Sequence, residues 1–366
     1  MRWVYGLCDM QSFYASCEVA SRAEYALRDE NDDATDPPLV VAGDPQRRSG
    51  IILAATPTAK RLGITTAMRL GEALKAAPQL IVVQPRMNFY LDVSTRIQHL
   101  MRLQYPKQEQ YSVDEGFFAF PYPTMLFADP IGSAMELKHK IWDQFRIRCR
   151  IGLADNKWMA KMANVRAKKH PDGIVWWQEK DISTQLHALS VFDMWGLKRR
   201  AQVLHDVFGA RTIGDVSQIP IVQLKKRFGV WGEVISRWAN GNDLSPINPE
   251  AFDSVQKGYS HRTTLPRDFN RREEICAVML ELTDEVCRRV RTGKQQGRRV
   301  GLGLTYGAFA GGFYKAKTIA QSTDDERTMY ETLLHLLDRW WNGTPVRAIS
   351  VSLDDLKKAD GEQLSL

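Results

Sequence analysis

The stretch Gly6–Glu18, GLCDMQSFYASCE, puts a carboxylate, Asp9, where an apolar run stops, and two aromatic residues, Phe13 and Tyr14, just beyond it. Trp3–Cys8 reads as a buried strand and Ser12–Ser21 as a helix, so Asp9 stands at the C-terminal end of a strand. A charge in apolar surroundings is unfavourable unless something compensates it. The same problem recurs in YSVDEGFFAF, Tyr111–Phe120, where Asp114 and Glu115 interrupt a segment that otherwise reads as a pair of strands. A hard divalent cation is the simplest compensation for three such carboxylates, because Mg²⁺ takes oxygen ligands and keeps positions open for substrate phosphates. Spacing alone also allows Asp9 to cap the following helix and Asp114-Glu115 to form a hairpin turn.

Outward from these acids the chain alternates strands and helices. The acidic run DENDDATDPP, Asp29–Pro38, lacks apolar periodicity and reads as a solvated surface loop before the strand LVVAG. A helix at Thr58–Leu62, a strand at LIVVQP (Leu80–Pro85), a helix over Met87–Leu103, a helix near Ile131–Phe145, the strand RCRIGLA (Arg148–Ala154) and a lysine-rich helix from Asn156 to about Lys169 follow. Two glycine turns then lie between helical segments, at Gly196 with Lys198 and at Gly229 with Gly232. Helix-hairpin-helix turns of this kind aim backbone N–H groups at a phosphate, although each also suits an ordinary helical corner. The polar stretch NGNDLSPINPEAFDS, Asn240–Ser254, reads as a linker. Beyond it the order is strand (Gly258–Leu265), helix (Arg272–Arg291), strands (Arg299–Tyr306 and Phe313–Ile319), helix (Asp324–Trp341) and strand (Val346–Leu353). That βαββαβ order predicts a four-stranded sheet with both helices on one face.

Composition narrows the class. With 366 residues, 44% of them hydrophobic, the chain can fill the cores of two to four domains. No apolar run reaches the roughly 18 residues of a membrane span, and Asp9 interrupts the only apolar N-terminal stretch, which predicts a cytoplasmic protein without membrane partners. Five cysteines without a C-x-x-C pair suggest neither a disulfide framework nor a zinc site. A formal charge of +7 favours a polyanionic partner. Six basic residues and no acid fall between Val286 and Val300, and Lys168 and Lys169 form a second cluster; solvated helix faces would explain either cluster alone.

The segments CDMQSFYASCE, SGIILAATPTAKRLGI, YSVDEGFF, GLADNKWMAKMANVRAKKHPDGI and WGLKRRAQVLHDVFGARTIGDV resemble, in order and spacing, the motifs of the Y-family translesion DNA polymerases, with FYASCE as in the UmuC-like branch. The resemblance covers nearly the whole chain. It implies an α+β multidomain fold, a right-hand polymerase with a ferredoxin-like palm (1–28 and 76–172), small fingers (29–75), a helical thumb with helix-hairpin-helix turns (173–243), a linker (244–256), a βαββαβ little finger (257–355) and a tail (356–366). It makes Asp9, Asp114 and Glu115 the acids that hold two Mg²⁺ ions, or Mn²⁺ in their place, with the Met10 carbonyl as a further ligand. Tyr14 falls on the steric gate under the nucleotide sugar, with Phe13 beside it, and Lys60 and Lys168 fall on the triphosphate contacts, Lys169 being a possible substitute.

For DNA the resemblance assigns the turns at Gly196, Lys198, Gly229 and Gly232 to the duplex backbone and Arg347 to the template strand. Gln363, Leu364 and Leu366, in EQLSL, resemble a sliding-clamp-binding peptide. Three positions depart from the family pattern. Gln11 replaces the second acid of the first motif, as the UmuC-like branch also has an amide, while Ala54 and Pro57 replace a threonine and a tyrosine. The implied activity is template-dependent, error-tolerant transfer of dNTP to a primer 3′-hydroxyl, with SOS-type DNA damage repair as its setting. Two other classes fit part of the pattern: an inactive polymerase-like adaptor that binds DNA and the clamp, and a palm-domain nucleotidyl cyclase.

Overall fold

The computed structural model describes residues 2–26, 28–44, 50–250 and 256–359. These form two compact units, one ending at Glu250 and one starting at Gln256.

In the first unit, β1 (Arg2–Met10) leads into α1 (Phe13–Ala20) through Ser12, whose left-handed φ of 52° turns the chain sharply. Asp9 therefore belongs to the strand and does not cap the helix. After the acidic run come β2 (Leu39–Ala42), β3 (Ile52–Ala55), α2 (Pro57–Arg61), α3 (Leu70–Ala76) and β4 (Ile81–Val83). β2 pairs antiparallel with β3 and parallel with β4, a three-stranded sheet that buries Val40, Ile52, Ala59, Leu70 and Leu80. The strand at residues 81–83 thus lies with the segment expected to end at 75, because its parallel register with β2 closes that small core.

Next, α4 (Met87–Gln104) buries Tyr90, Val93, Ser94, Ile97, Gln98 and Met101, a stripe at helical spacing. β5 (Lys107–Gln110) and β6 (Glu115–Tyr122) form the hairpin, so the expected strand pair begins four residues earlier than YSVDEGFFAF and residues 111–114 make its turn. α5 (Pro130–Phe145) starts at an Asp129 cap that accepts the Ile131 N–H at 3.0 Å. β7 (Cys149–Ala154), α6 (Lys157–Ala167) and β8 (Ile174–Trp176) complete a five-stranded sheet in the order β5-β6-β1-β7-β8. A Cβ on Gly152 would fall 2.2 Å from the Ala160 carbonyl oxygen, so glycine there is what lets α6 lie directly on β7.

Four short helices follow: α7 (Arg199–Phe208), α8 (Ile213–Ser217), α9 (Ile221–Phe228) and α10 (Val230–Ala239). Their apolar faces share one core with Leu7, Phe117, Trp158 and Met162. Gly196 (φ 89°) and Gly229 (φ 61°) hold the two expected turns, and Gly232 lies inside α10 against Leu224. Lys198, which stands where the first turn lacks a glycine, is also at positive φ, 36°, a conformation that strains any residue with a Cβ. Lys198→Gly is expected to raise stability by about 1 kcal/mol, read as an upward shift in thermal melting. The first residues of the expected linker are pinned down: Asp243 accepts the Trp158 backbone N–H and the Trp238 indole N–H, both at 3.2 Å, and the Asn248 N–H donates to Glu109 at 2.7 Å.

The second unit has the βαββαβ order read from the sequence: β9 (Gly258–Phe269), α11 (Arg272–Thr292), β10 (Gln295–Tyr306), β11 (Gly312–Thr323), α12 (Glu326–Trp340) and β12 (Val346–Lys358). Its sheet runs β11-β10-β12-β9, all antiparallel, and both helices bury their apolar stripes in one core with Leu302, Leu304, Ile349 and Val351. The basic run within it is less free than its composition suggests. Arg288 and Arg289 bind Glu285, Arg291 binds Glu326 and Arg298 binds Asp355.

Candidate active site

Asp9 and Glu115 are direct register partners across β1 and β6, so their side chains leave the same face of the sheet. The Met10 N–H donates to the Asp114 carbonyl at 2.9 Å, which fixes the 111–114 turn beside the end of β1. Ser112 Oγ donates to the Asp114 carboxylate at 2.7 Å. Asp9, Met10 and Asp114 line a cavity of about 610 Å³, together with Gln11, Ser12, Phe13, Tyr14, Ala54, Pro57, Lys60, Arg150 and Lys168. Burial, and then the facing Glu115 charge, push the Asp9 carboxyl up to about 6, Lys168 and Lys161 pulling it back and Asp114 adding to the rise. Glu115 itself turns aside and accepts a charged hydrogen bond from Lys161 of α6. Among the described residues no three His, Cys, Asp or Glu side chains converge to hold a metal.

The aromatic pair behind the acids divides its work. Phe13 is buried core, whereas Tyr14 is only partly covered and its ring stacks on Tyr90, 4.7 Å between centroids at 20°. Tyr90 donates its hydroxyl to Glu18 at 2.7 Å. Glu18, fully buried on α1, is gripped by Arg86 through both carboxylate oxygens at 2.9 Å and by Arg22 at 2.9 Å. Burial would raise the Glu18 pKa, but these bonds outweigh it and the carboxyl lies below its usual value. The Tyr14 ring therefore rests on a fixed base.

Lys60 reaches across from α2 and donates to Ser12 Oγ at 2.8 Å. Its pKa is lowered by burial and by the neighbouring Arg150 and Lys168, with Asp9 acting in the opposite direction. Lys168, at the end of α6, lines the same cavity, whereas Lys169 lines a different one.

Several residues of this site were hidden in the sequence. The acidic run is not simply solvated: Arg148 binds Asp36 at 2.8 Å and the backbone carbonyls of Asp29, Glu30 and Asp32, and folds the loop against β7. Asp33 then accepts from Gln11 at 3.2 Å and from Arg61 at 2.6 Å. An acid from the loop thus stands beside the amide that replaces the motif's second acid. Arg150 and Lys161 carry no signal beyond their positions on a strand and a helix; Glu18 had one, a carboxylate at the end of FYASCE on the buried face of a helix.

In the second unit Arg347, on β12, faces Asp268 at 3.6 Å. The sheet face away from the helices carries small residues, Gly301, Gly303, Ser350 and Ser352, in register with one another. Gln363, Leu364 and Leu366 lie outside the described residues. No helix among the described residues is long and apolar enough to cross a membrane.

Comparison with known proteins agrees with this architecture. The model of the impB/mucB/samB family matches residues 8–165, and that family's C-terminal domain matches 256–366. The chain is 35% identical over 98% of its length to DNA polymerase IV 2 of Halalkalibacterium halodurans and 36% identical over 98% to DNA polymerase IV 2 of Bacillus subtilis, covering 86% of each. It is 33% identical over 98% of its length to the putative UV-damage repair protein UvrX of Bacillus subtilis, covering 85% of that protein. Among solved structures a Y-family DNA polymerase chimera superposes with a TM-score of 0.78 over 96% of this chain and 98% of the other, at 22% identity. With two family models matched in order and relatives above 30% identity along nearly its whole length, this chain belongs to the impB/mucB/samB family and has the fold of a Y-family DNA polymerase.

Proposed function

We propose that the chain is a template-dependent, error-tolerant DNA polymerase that adds dNTP to a primer 3′-hydroxyl, and that Asp9, Asp114 and Glu115 with the Met10 carbonyl hold two Mg²⁺ ions at its centre. The observation that carries this reading is the register of β1 and β6, which sets Asp9 opposite Glu115 and Asp114 alongside, at one end of a cavity that Lys60, Arg61, Arg150 and Lys168 also line. The donor set suits the ion, being oxygen only, and the crowding that raises Asp9 is the kind a divalent cation relieves. When bound, the ions lower the pKa of the primer hydroxyl and neutralise charge on the leaving pyrophosphate.

The chain's own residues do the rest. Lys60 and Lys168 attract and orient the triphosphate, Tyr14 lies under the sugar, and Leu53, Ala54 and Ala55 present a small, smooth surface over the base. That surface has little with which to test the shape of a base pair, in keeping with tolerance of damaged templates. Lys161 holds the Glu115 carboxylate in place until a metal competes for it. The thumb turns at Gly196, Lys198, Gly229 and Gly232, and Arg347 with the small-residue face of the second sheet, meet the DNA backbone without reading sequence. Binding of primer-template should therefore weaken steeply with salt. The sliding clamp, through Gln363–Leu366, is the further partner, and the cytoplasm the compartment.

A running-start extension assay on damaged and undamaged templates tests this reading. The wild type is expected to extend past the lesion with Mg²⁺, and Asp114→Ala to lose extension. Wild-type protein that binds primer-template but adds no nucleotide would favour the adaptor instead.

A further inference from the structure

Arg150 has no place in the family motifs, yet it is the register partner of Asp9 on the other side of β1. A direct cross-strand pair sits about 5 Å apart, so the guanidinium leaves the sheet on the face that carries the acids. Among the described residues it has no side-chain hydrogen bond and no ion pair, although Asp9 and Asp33 are near enough to raise its pKa against the larger lowering from burial. Lys168 is likewise unpaired among the described residues, and Lys60 has only the neutral Ser12 hydroxyl. Three cations therefore face one another across a half-enclosed cavity, and Arg150 and Lys168 each depress Lys60. Asp9, Asp33 and Asp114 line the same cavity and offset part of this like-charge crowding, and a bound polyanion would relieve the rest.

Arg150 also stands where the main cavity meets a smaller polar one of about 250 Å³; Gln11, Asp33 and Lys168 border both. Apart from Lys168, the other lysine and arginine of the smaller cavity are committed, Arg148 to the acidic loop and Lys138 to the Asp172 carbonyl at 3.0 Å. Arg150 is free to bind. Its planar fork can take two phosphate oxygens at once, which an ammonium cannot.

We propose that Arg150 is a third phosphate ligand, beside Lys60 and Lys168, for the β- and γ-phosphates of the incoming nucleotide and so for the pyrophosphate that leaves. The proposal rests on the polymerase reading. It goes beyond it by giving a role to a strand residue, and it accounts for how the site holds a triphosphate with Ala54 and Pro57 where a threonine and a tyrosine are the family pattern.

The test compares wild type, Arg150→Gln and Arg150→Lys in single-nucleotide incorporation and in the reverse reaction, where pyrophosphate attacks the 3′-terminal phosphodiester and releases dNTP. For Arg150→Gln the KM for dNTP and the KM for pyrophosphate are both expected to rise about 10- to 150-fold, the range of one lost charge-assisted bond. The kcat should stay within about threefold and the affinity for primer-template within about twofold. Arg150→Lys should recover part of the loss, and it carries the test if the glutamine variant melts early.

Unchanged KM values in an active protein would overturn the proposal. A fall in kcat with an altered Mg²⁺ requirement and unchanged KM would also overturn it, because Arg150 would then act by orienting Asp9. Failure of the wild type to extend a primer defeats the polymerase reading itself, and direct binding of inorganic pyrophosphate, weakened in Arg150→Gln, would still support the anion site.

Discussion

Asp9→Asn is expected to abolish primer extension, by about 10³-fold or more, and at the same time to raise the melting temperature of the metal-free protein. On the proposed function, the loss follows from catalysis that consists mainly of placing charge around a transferring phosphoryl group, so that an amide in place of a carboxylate removes both the proposed metal ligand and its charge. The gain follows from linkage. In the folded chain the Asp9 carboxyl is raised from 3.8 to about 6, mainly by burial and the facing Glu115. A raised carboxyl binds its proton more tightly folded than unfolded, so between pH 3.8 and about 6 stability falls as pH rises, and above that window the deficit is complete.

The deficit is on the order of 1–3 kcal/mol, discounted for the partial exposure of the group. Asparagine carries no charge and lacks that deficit, and melting should rise by about 2–6 °C. Mg²⁺ at neutral pH should raise the wild-type melting temperature and leave the variant unmoved. Acidifying toward pH 5 should narrow the difference between the two proteins. A variant that melts lower than wild type at pH 7.5 would show that the Asp9 charge is already compensated in the metal-free protein and that no deficit exists for a cation to relieve.

Tyr14→Ala is expected to reduce discrimination against ribonucleotides by about 10²-fold, with a much smaller effect on dNTP incorporation. Exclusion of a 2′-hydroxyl requires a ring that cannot retreat, since a yielding wall merely shifts. The Tyr14 ring is backed by the stacked Tyr90 ring, which Glu18 holds through its hydroxyl, and Glu18 is held in turn by Arg86 and Arg22. Forcing an extra oxygen into such a wall costs on the order of 1–3 kcal/mol, which sets the size of the effect. Tyr14→Phe keeps the ring and should keep the discrimination. Tyr90→Ala leaves Tyr14, the proposed gate, in place but removes its backing, and should lose part of the discrimination. Measured ratios of kcat/KM for dNTP and rNTP decide this; a Tyr14→Ala protein that still rejects ribonucleotides would place the gate elsewhere.

Elements whose identity depends on local pattern were legible in the sequence. The buried strand at the start and the second unit's βαββαβ order appear where apolar periodicity predicts them, because each strand and helix there carries its apolar residues at the spacing of a buried face, whichever element covers it. The acids at positions 9, 114 and 115 stood out because apolar residues surround them. What depends on distant partners did not show. Arg150 looks like any exposed residue of an alternating strand until the sheet sets it opposite Asp9. The acidic run reads as solvated because nothing local reveals that Arg148, more than 100 positions away, gathers its carbonyls. The strand at 81–83 was assigned by its position in the chain, but its partner is chosen by a parallel register that no hairpin signal marks. The cluster between Val286 and Val300 shows the reverse error, a basic run whose partners come from the preceding turn of its own helix, from α12 and from β12.

The function proposed for this chain depends on the end of β1 and the turn before β6 forming one divalent-cation site that serves the nucleotide. Anomalous scattering of Mn²⁺, in crystals of the chain with primer-template and a non-reactive dNTP analogue, locates the ions independently of any activity. Two peaks are expected within bonding distance of the Asp9, Asp114 and Glu115 carboxylates, with Glu115 drawn away from Lys161. Manganese bound only elsewhere, with Glu115 still on Lys161 and the nucleotide in place, would contradict such a site.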